Sequence, residues 1–339
     1  MGEKNIMNKE NIILIDNDKE QMKEFKDGIE KTSKKKWEFV LEKSNKEKNS
    51  IIRYIKYFIF SFKIFNRRKK IENIIAWQQF FGIIFSFYCR IFHVKKVNKL
   101  YICTFIYKDK KKFKKIYYKF IKYCISSKYV DKIICYSASE CEYYSKKFNL
   151  EINKFIYLNL GIRKMNINKY KKDMRADKYI LSCGKSNRDY DFLISTLKNT
   201  KYQVHIICDN LKGVKEKNIK VYNDVYGEKY FEMLANAYCV VIPLKDLKIS
   251  SGQLVLLQAM QFKKPVIITE TETVKNYIID SYNGILIKNI GSNLIEALEK
   301  LYNNEELYNK LSENAYKEFE EKYSLYVLGK NIGYITEKD

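Results

Sequence analysis

The sequence predicts an α/β fold with two doubly wound domains, each built on a mainly parallel sheet. Three observations lead to this prediction. Short apolar runs alternate with segments of helical periodicity along nearly the whole chain. The alternation stops at the polar stretch 166–178 (NINKYKKDMRADK) and then restarts. At 339 residues, of which 46% are hydrophobic, the chain is long enough for two cores of ordinary size.

The first half is expected to begin with a buried strand, the apolar run NIILID at 11–16. The highly charged segment 19–48 is expected to form a helix and a loop. The uncharged run 73–89 approaches the length of a membrane-spanning helix, but polar residues and Gly82 interrupt it. We therefore interpret it as strand, turn and helix. The elements expected after residue 50 are strands at 73–77, 99–107, 131–136 and 155–158, and helices at 51–70, 82–92, 108–122 and 139–148.

The second half repeats the pattern after 166–178, which we interpret as an interdomain linker. Its expected strands lie at 179–183, 203–208, 219–222, 239–243, 266–269 and 285–287. Its expected helices lie at 191–197, 227–237, 254–262, 292–303, 305–321 and 324–335. The pattern predicts a first domain at 1–165, a second at 179–322 and a final helical segment at 323–339.

One stretch of the second domain has the composition of an anion-binding turn. Residues 248–269 (KISSGQLVLLQAMQFKKPVIIT) place Ser250, Ser251 and Gly252 directly before an apolar helix, which a strand follows. A helix N-terminus after a flexible turn presents unpaired N–H groups and the positive end of the helix dipole. An ordinary turn between a strand and a helix has the same composition, so the local sequence leaves both interpretations open.

Positive charge is concentrated in the first half of the chain. The whole chain carries 64 Lys and Arg against 40 Asp and Glu, a net charge of +24. Residues 1–177 hold 42 and 19 of these, residues 178–339 hold 22 and 21, and residues 51–130 hold 20 and 2. Because a codon bias would act on both halves alike, we expect the first half to face a polyanion. An anionic membrane, an anionic lipid-linked substrate and nucleic acid all fit that description.

The segment 51–70 (IIRYIKYFIFSFKIFNRRKK) combines aromatic residues with cations. Apolar residues recur at helical spacing, and four cations close the segment. The spaced positions are 52, 55, 58 or 59, 62 and 65. An interfacial helix on an anionic membrane has this composition, and so does a core helix with a solvated basic end.

The cysteines and histidines predict neither disulfides nor a metal site. The eight cysteines show no paired spacing, so we expect buried free thiols in a reducing compartment. With only His93 and His205 available, a zinc site is disfavoured. His93 is expected to pack at a helix end, and His205 to lie within a strand. The polar, mixed-charge N-terminus does not have the composition of a signal peptide.

The motifs of the second half, taken together, resemble the retaining nucleotide-sugar glycosyltransferases of the GT-B fold, specifically the large GT4-type family. They are CGKSNRDY (183–190), FEMLANAYCVVIPL (231–244), SSGQLVLLQAM (250–260), KKPVIIT (263–269) and NGILI (283–287). Weaker matches in the first half are AWQQFFG (76–82), CTFIYKDK (103–110), IICYSASECEYYSKKF (133–148) and LNLGIR (158–163). The segments NRDYDFL and SGQ…QAM resemble one subgroup of the family.

The resemblance implies an acceptor site in the first domain and a nucleotide-sugar donor site in the second. The two sites would face each other across a cleft, with the final helix crossing back to the first domain. Lys185 and Arg188 would stabilise the charge that develops on the leaving diphosphate. The other donor-binding residues would be Gly184, Ser250, Ser251, Gly252, Gln253, Leu254 and Gln258, with the base near Tyr222, Asn223 and Val225.

The acceptor side is less defined by the sequence. Gln79 and Thr104 follow or end predicted strands of the first domain, where open α/β sheets bind ligands. A glycan or a lipid-linked molecule is the expected acceptor. The nucleotide-diphosphate sugar is a co-substrate, and the family resemblance implies no other cofactor and no metal.

The sequence departs from the family at two positions. The family usually carries two glutamates with seven residues between them across the turn and helix, where this chain has Ser250 and Gln258. Gln258 can still hydrogen-bond a donor ribose, but Ser250 removes a carboxylate. Either the front-face mechanism works without it, because the phosphate itself can take the acceptor proton, or the chain is an inactive partner subunit.

The charge distribution favours a cytoplasmic enzyme at the inner face of the plasma membrane, in contact with anionic lipid through residues 51–130. Such an enzyme would act in cell-surface polysaccharide or glycolipid synthesis. A nucleic-acid-binding protein is the weaker alternative, because no recognition motif for DNA or RNA is present. Another GT-B enzyme, such as a sugar-nucleotide epimerase, is also compatible with the fold.

Overall fold

The computed structural model describes residues 9–16, 18–43, 47, 49–110, 112–170, 178–247 and 250–338. The chain divides into two compact units. The first comprises Met1–Asn159 together with Leu325–Asp339, and the second comprises Leu160–Ser324. Each unit contains a parallel six-stranded sheet covered by helices, so the predicted α/β class and the two doubly wound sheets are confirmed.

The sheet of the first unit has the strand order β2-β1-β3-β4-β5-β6. Its central strands are mainly apolar because helices bury both faces, whereas the edge strand β2 is partly exposed. The strands are β1 (Glu10–Ile15), β2 (Glu38–Leu41), β3 (Ile71–Ala76), β4 (Lys99–Ile102), β5 (Lys132–Cys135) and β6 (Phe155–Tyr157). The helices are α1 (Lys23–Ser33), α2 (Ser50–Arg67), α3 (Gln79–Ile91), α4 (Lys114–Ile125), α5 (Ala138–Phe148) and the final helix α11 (Leu325–Lys338).

Helix α11 packs closely along α1 within the first unit. The close approach depends on glycines, because a Cβ atom on Gly329 would overlap the backbone carbonyl of Phe25. A Cβ atom on Gly28 would likewise overlap the carbonyl of Tyr326. Thr32 Oγ1 donates a hydrogen bond across the contact to the Lys330 carbonyl at 2.9 Å.

The sheet of the second unit has the order β12-β11-β10-β7-β8-β9. The strands are β7 (Tyr179–Cys183), β8 (Gln203–Ile207), β9 (Ile219–Tyr222), β10 (Cys239–Ile242), β11 (Val266–Thr269) and β12 (Ile285–Ile287). The helices are α6 (Tyr190–Leu197), α7 (Gly227–Asn236), α8 (Gln253–Gln261), α9 (Gly291–Asn303) and α10 (Glu305–Lys322). Chain order reverses between β7 and β10, and ligands bind at such switch points in open α/β sheets.

The structure differs from the predicted elements and boundaries in several places. The strand predicted at 99–107 ends at Ile102, and the helix predicted at 108–122 begins only at Lys114. The charged segment 19–48 contains the edge strand β2. Its four residues, EFVL, are too few to show the period of a strand. The first unit ends at Asn159 instead of 165, because Ile162 donates its N–H to the Tyr323 carbonyl at 2.8 Å and packs on the second core. Tyr170, from the predicted linker, packs on Phe231 and Phe262 of the second unit.

Helix α2 has two apolar faces. Tyr57, Phe60 and Ile64 are buried in the first core, as a core helix requires. Ile55 and Ile59 lie on another face and are both 53% exposed. Of the spaced apolar positions, Phe65 is the one that the structure buries.

No helix within the described residues combines the length and the apolar character that crossing a bilayer requires.

Candidate functional site

The candidate site of the second unit lies where β7 and β10 end. The loop after β7 and the loop after β10 are joined by a short antiparallel bridge between Arg188 and Leu244. Asp189 donates its N–H to the Pro243 carbonyl at 3.0 Å. Two predicted site segments, 183–190 and 250–260, thus start from neighbouring strands at the switch point of the sheet.

The loop after β7 holds a guanidinium close to its backbone. Gly184 has a φ of +108°, and a Cβ atom there would lie 2.9 Å from the Arg188 guanidinium. Arg188 Nε donates to the Cys183 carbonyl at 3.0 Å, and its Nη1 donates to the Ser186 carbonyl at 2.9 Å. Burial lowers the pKa of Arg188, but a guanidinium stays charged at neutral pH. Its described partners are carbonyl groups, so the positive charge is available to an anion.

Lys185 is exposed in the same loop. The pKa of Asp209 is lowered mainly by the hydrogen bonds that its carboxylate accepts from Tyr226 and from the Asp224 backbone. The positive charge of Lys185 lowers it further. Lys185 therefore lies near the carboxyl end of β8, whereas Arg188 lies toward β10. The two predicted cations belong to one loop but occupy different sides of it.

The turn before α8 leaves the helix N-terminus without a side-chain cap. Gly252 has a φ of +92° and a ψ of −19°, a left-handed conformation that glycine adopts without strain. The first helical hydrogen bond joins Leu256 N to the Gly252 carbonyl at 2.9 Å. The N–H groups of Gln253 and Leu254 precede that bond and point out of the helix end. This arrangement can bind a phosphate oxygen.

Asn187 fastens the two loops together. Its Nδ2 donates to the Asp246 carbonyl and to Ser251 Oγ, both at 2.9 Å, and its Oδ1 accepts from Asp246 N at 2.8 Å. Ser250 Oγ accepts a hydrogen bond from Gln253 Nε2. Lys248 and Ile249, the first two residues of the predicted motif, lie outside the described residues.

A half-buried tyrosine, Tyr230, orients the side chain of Gln258. Tyr230 Oη donates to Gln258 Oε1 at 2.8 Å and contacts Cys183 Sγ at 3.6 Å. Burial raises the pKa of Tyr230 well above its ordinary value, so the hydroxyl keeps the proton that it donates. Since the amide oxygen is occupied, the Gln258 Nε2 group remains to donate to a ligand.

Two residues that support the site were not among the predicted site residues, although Thr269 ends the KKPVIIT motif. Thr269 Oγ1 accepts from Leu244 N at 2.8 Å and donates to Asn289 Oδ1 at 2.6 Å. Asn289 Nδ2 donates to the Leu244 carbonyl at 2.8 Å and to Asp189 Oδ2 at 3.3 Å. Asp189 also caps α6 by accepting from Phe192 N at 3.0 Å. In the sequence, Thr269 ends one predicted strand and Asn289 follows another.

The predicted base region lies beyond β9. Asn223 Nδ2 donates to the Cys208 carbonyl at 2.6 Å, Val225 is buried, and the Tyr222 ring packs on His205. Tyr226 Oη donates to Asp209 Oδ2, a pair that the sequence did not single out. These residues therefore form a compact cluster at the carboxyl ends of β8 and β9.

The predicted acceptor residues of the first unit are used to hold its loops. Gln79 begins α3, donates to the Ile106 carbonyl at 3.2 Å and accepts from Ile106 N at 3.1 Å. Thr104 has a φ of +49° and donates its hydroxyl to the Trp77 carbonyl. The polar groups of both side chains thus form hydrogen bonds with backbone atoms of the surrounding loops.

The switch point of the first sheet lies between β1 and β3, and another pair of polar residues lies there. Gln78 Nε2 donates to Asp16 Oδ2 at 2.9 Å. Asp16 follows β1 and Gln78 follows β3, so the topology brings them together at the edge where ligands bind. The sequence does not predict this pair, because it does not specify the order of the strands.

The histidine and cysteine side chains form neither a disulfide nor a metal cluster among the described residues. His205 is half-buried within β8 and stacks on Tyr179, and burial lowers its pKa. His93 is exposed after α3. All eight cysteines are buried thiols without disulfides. Among the described residues, no three His, Cys, Asp or Glu side chains lie close enough to hold a metal ion.

Residues 183–318, which contain the candidate site of the second unit, match the family of glycosyl transferases group 1. The match covers fewer than half of the residues. A curated relative is the uncharacterized glycosyltransferase MJ1178 of Methanocaldococcus jannaschii, 30% identical over 219 residues. The aligned part is 60% of this chain and 58% of the relative, so the chain spans less than two thirds of that protein.

Solved structures extend the likeness to both units. HepE of Anabaena, in complex with UDP, matches with a TM-score of 0.69 at 11% identity, over 97% of this chain and 100% of its own. Sucrose-phosphate synthase of Thermosynechococcus elongatus matches with a TM-score of 0.69 at 11% identity, over 97% and 99%. The chain has the GT-B fold of these proteins, as the sequence predicted.

Proposed function

We propose that this chain is a retaining glycosyltransferase of the GT4 type, which moves a sugar from a nucleotide diphosphate to a glycan or lipid-linked acceptor. The observation that carries the proposal is the occurrence together of Arg188, a half-buried cation that donates to carbonyl groups, and the uncapped N-terminus of α8. Both lie at the switch point of the second sheet. The family match over residues 183–318 coincides with this site.

The arrangement suits stabilisation of a leaving diphosphate. As the bond between the sugar carbon and the phosphate oxygen breaks, the electron pair stays on the nucleotide diphosphate. A fixed guanidinium and fixed N–H groups stabilise that charge most strongly in the transition state. The acceptor oxygen attacks the same face of the sugar, and its proton passes to the departing phosphate. Because the protein's own groups supply the positive charge, the proposal includes no metal and no further cofactor.

The substitution of both family glutamates is compatible with this mechanism. Gln258, held by Tyr230, presents an N–H donor that a ribose oxygen of the nucleotide can accept. Ser250 leaves no carboxylate near the sugar, and the front-face reaction requires none. We assign the base to the region of Tyr222, Asn223 and Val225.

We place the acceptor site in the first unit, at Asp16 and Gln78. The carboxylate of Asp16 already accepts one hydrogen bond and retains lone pairs for a sugar hydroxyl. Gln79 and Thr104 are assigned to holding the loops around that site. A cell-surface polysaccharide or a glycolipid is the proposed product class.

The proposed location is the cytoplasm, at the inner face of the plasma membrane. The eight unpaired thiols fit a reducing compartment. The excess of cations at 51–130 fits contact with anionic lipid. The same excess would also fit nucleic acid, but through charge alone.

Thermal unfolding with UDP, GDP, ADP and CMP at matched concentration tests the donor site. Ligand that binds only the native state raises the unfolding temperature. UDP is the first choice, because HepE was crystallised with UDP and with UDP-glucose. Selective stabilisation by one nucleotide, followed by sugar transfer or hydrolysis from its diphosphate sugars, is the expected result.

An inactive glycosyltransferase-like partner subunit is the second candidate, and the loss of both glutamates favours it. It predicts nucleotide stabilisation without turnover of any diphosphate sugar. The absence of stabilisation by all four nucleotides would contradict both candidates and return attention to polyanion binding.

A further inference from the structure

We propose that the exposed face of α2, together with α4, docks on the surface of an anionic lipid bilayer, with α2 lying in the plane of the headgroups. The inference rests on the proposed function only in placing a lipid-linked acceptor at the same surface. The residues that carry it all lie in the first unit.

The apolar residues of α2 that face away from the core form one row. Ile51, Ile55 and Ile59 follow each other at a spacing of four residues and are 68%, 53% and 53% exposed. Ile52 and Phe62 extend the same exposed surface. A groove of about 610 Å³ runs along the row and is lined by residues of α2 and by Tyr88 of α3. Folding within the described chain therefore leaves a continuous aliphatic and aromatic surface open.

Helix α4 continues this surface with alternating cations. Phe113, directly before α4, and Ile116 are 76% and 67% exposed. Aromatic contacts join the three helices, since Phe87 of α3 meets Phe58 of α2 and Phe120 of α4 with ring centroids 6.1 Å and 5.4 Å apart. The rows on α2 and α4 thus belong to one layer.

The charges of this layer match an anionic surface. None of the salt bridges among the described residues involves Lys63, Lys115, Lys119 or Lys122. The sequence of α2 and α4 contains no Asp or Glu. Lysines beside exposed aliphatic residues form the two-part composition of an interfacial helix, with apolar residues below the headgroups and ammonium groups at the phosphates.

The same charges argue against a second copy of this chain as the occupant. A twofold contact would place the lysines of one face against the lysines of the other, and like charges repel. An anionic bilayer attracts those lysines electrostatically, and its hydrocarbon region can bury the isoleucine row. The bilayer is therefore the occupant to which the proposal commits.

Flotation of the full chain with lipid vesicles tests the docking. We expect binding to vesicles of phosphatidylcholine with about 30% phosphatidylglycerol, and little binding to phosphatidylcholine alone. The double variant Ile55→Ser/Ile59→Ser should bind the anionic vesicles about tenfold more weakly or worse, since it removes most of the aliphatic row. The matched control is Ile279→Ser/Ile290→Ser in the second unit, where both residues are also exposed, and it should bind as the wild type does.

A charge variant separates insertion from simple attraction. Lys115→Glu/Lys119→Glu should weaken vesicle binding at low salt. The difference in affinity between this variant and the wild type should decrease as the salt concentration rises, because salt screens the lysines. The loss in the isoleucine variant should persist at every salt concentration. Circular dichroism and the thermal shift with nucleotide, measured on each variant, establish that both units stay folded.

Three results would overturn the proposal. The wild type could fail to bind anionic vesicles, or the isoleucine variant could bind as well as its control. Sedimentation velocity could also show a wild-type dimer that the isoleucine variant dissociates, which would assign this face to self-association. A normal nucleotide shift beside failed vesicle binding would contradict the docking alone. Vesicle binding without any nucleotide shift would contradict the proposed donor site alone.

Discussion

Substitution of Gly252 by Ala tests the phosphate cradle directly. Gly252 has a φ of +92°, and an added Cβ atom would lie 3.3 Å from Ile242 Cγ2. An L-residue held in a left-handed conformation costs about 1–2 kcal/mol. The turn can relieve that cost by rotating, but rotation would redirect the N–H groups of Gln253 and Leu254 at the start of α8.

The expected effect on binding follows from one hydrogen bond. A hydrogen bond to a charged group contributes about 1.5–3 kcal/mol, so losing one raises the Kd at least about tenfold. At a nucleotide concentration of about 100 Kd, the wild type gains about 2.7 kcal/mol of stability. A tenfold higher Kd reduces that gain to about 1.4 kcal/mol.

Gly213→Ala is the matched control, because it separates strain from binding. Gly213 also has a positive φ, +79°, but a Cβ atom there would meet no atom within 4 Å, and the residue lies in the loop between β8 and β9. Both variants should lose about 1–2 kcal/mol of unliganded stability. Thermal unfolding with and without UDP measures both quantities. If Gly252→Ala keeps the Kd of Gly213→Ala within twofold, the N-terminus of α8 does not bind the phosphate.

Three further predictions concern other parts of the chain. Tyr230→Phe should weaken nucleotide binding by about 1 kcal/mol, because Gln258 loses the hydroxyl that orients its amide; isothermal titration measures the change. Gly329→Ala should destabilise the first unit by about 3 kcal/mol, because the backbone carbonyl of Phe25 blocks the added methyl group; denaturant unfolding measures this loss. Asp16→Asn should slow sugar transfer by on the order of tenfold or more while leaving the nucleotide-induced thermal shift unchanged, as kinetics with a fixed donor would show.

Each of these predictions has its own control and contrary result. Unchanged affinity in Tyr230→Phe would mean that Gln258 does not contact the nucleotide. Gly291→Ala, where the Cβ atom would make only an ordinary contact with Thr196, should be nearly neutral, and an equal loss at both glycines would refute the argument from close packing. A nucleotide shift lost in Asp16→Asn would show that the substitution disturbs more than the acceptor side.

The sequence by itself determined the class of fold and most of the elements. Short continuous apolar runs such as β1 and β11 favour strands that are buried on both faces, and their alternation with amphipathic helices predicts parallel sheets. The sequence predicts the Ser-Gly turn at 250–252 because glycine readily adopts the left-handed conformation of such a turn. Local patterns of this kind need no knowledge of distant residues.

Tertiary structure decided which polar residues meet. The hydrogen bond from Tyr230 to Gln258 joins α7 to α8, and the bond from Gln78 to Asp16 spans 62 positions of the chain. Strand order creates such contacts, and a single sequence does not specify strand order. The same holds for α2, whose apolar residues cover two faces. Only the packing of the first core determines that Phe60 and Ile64 are buried, while Ile55 and Ile59 remain exposed.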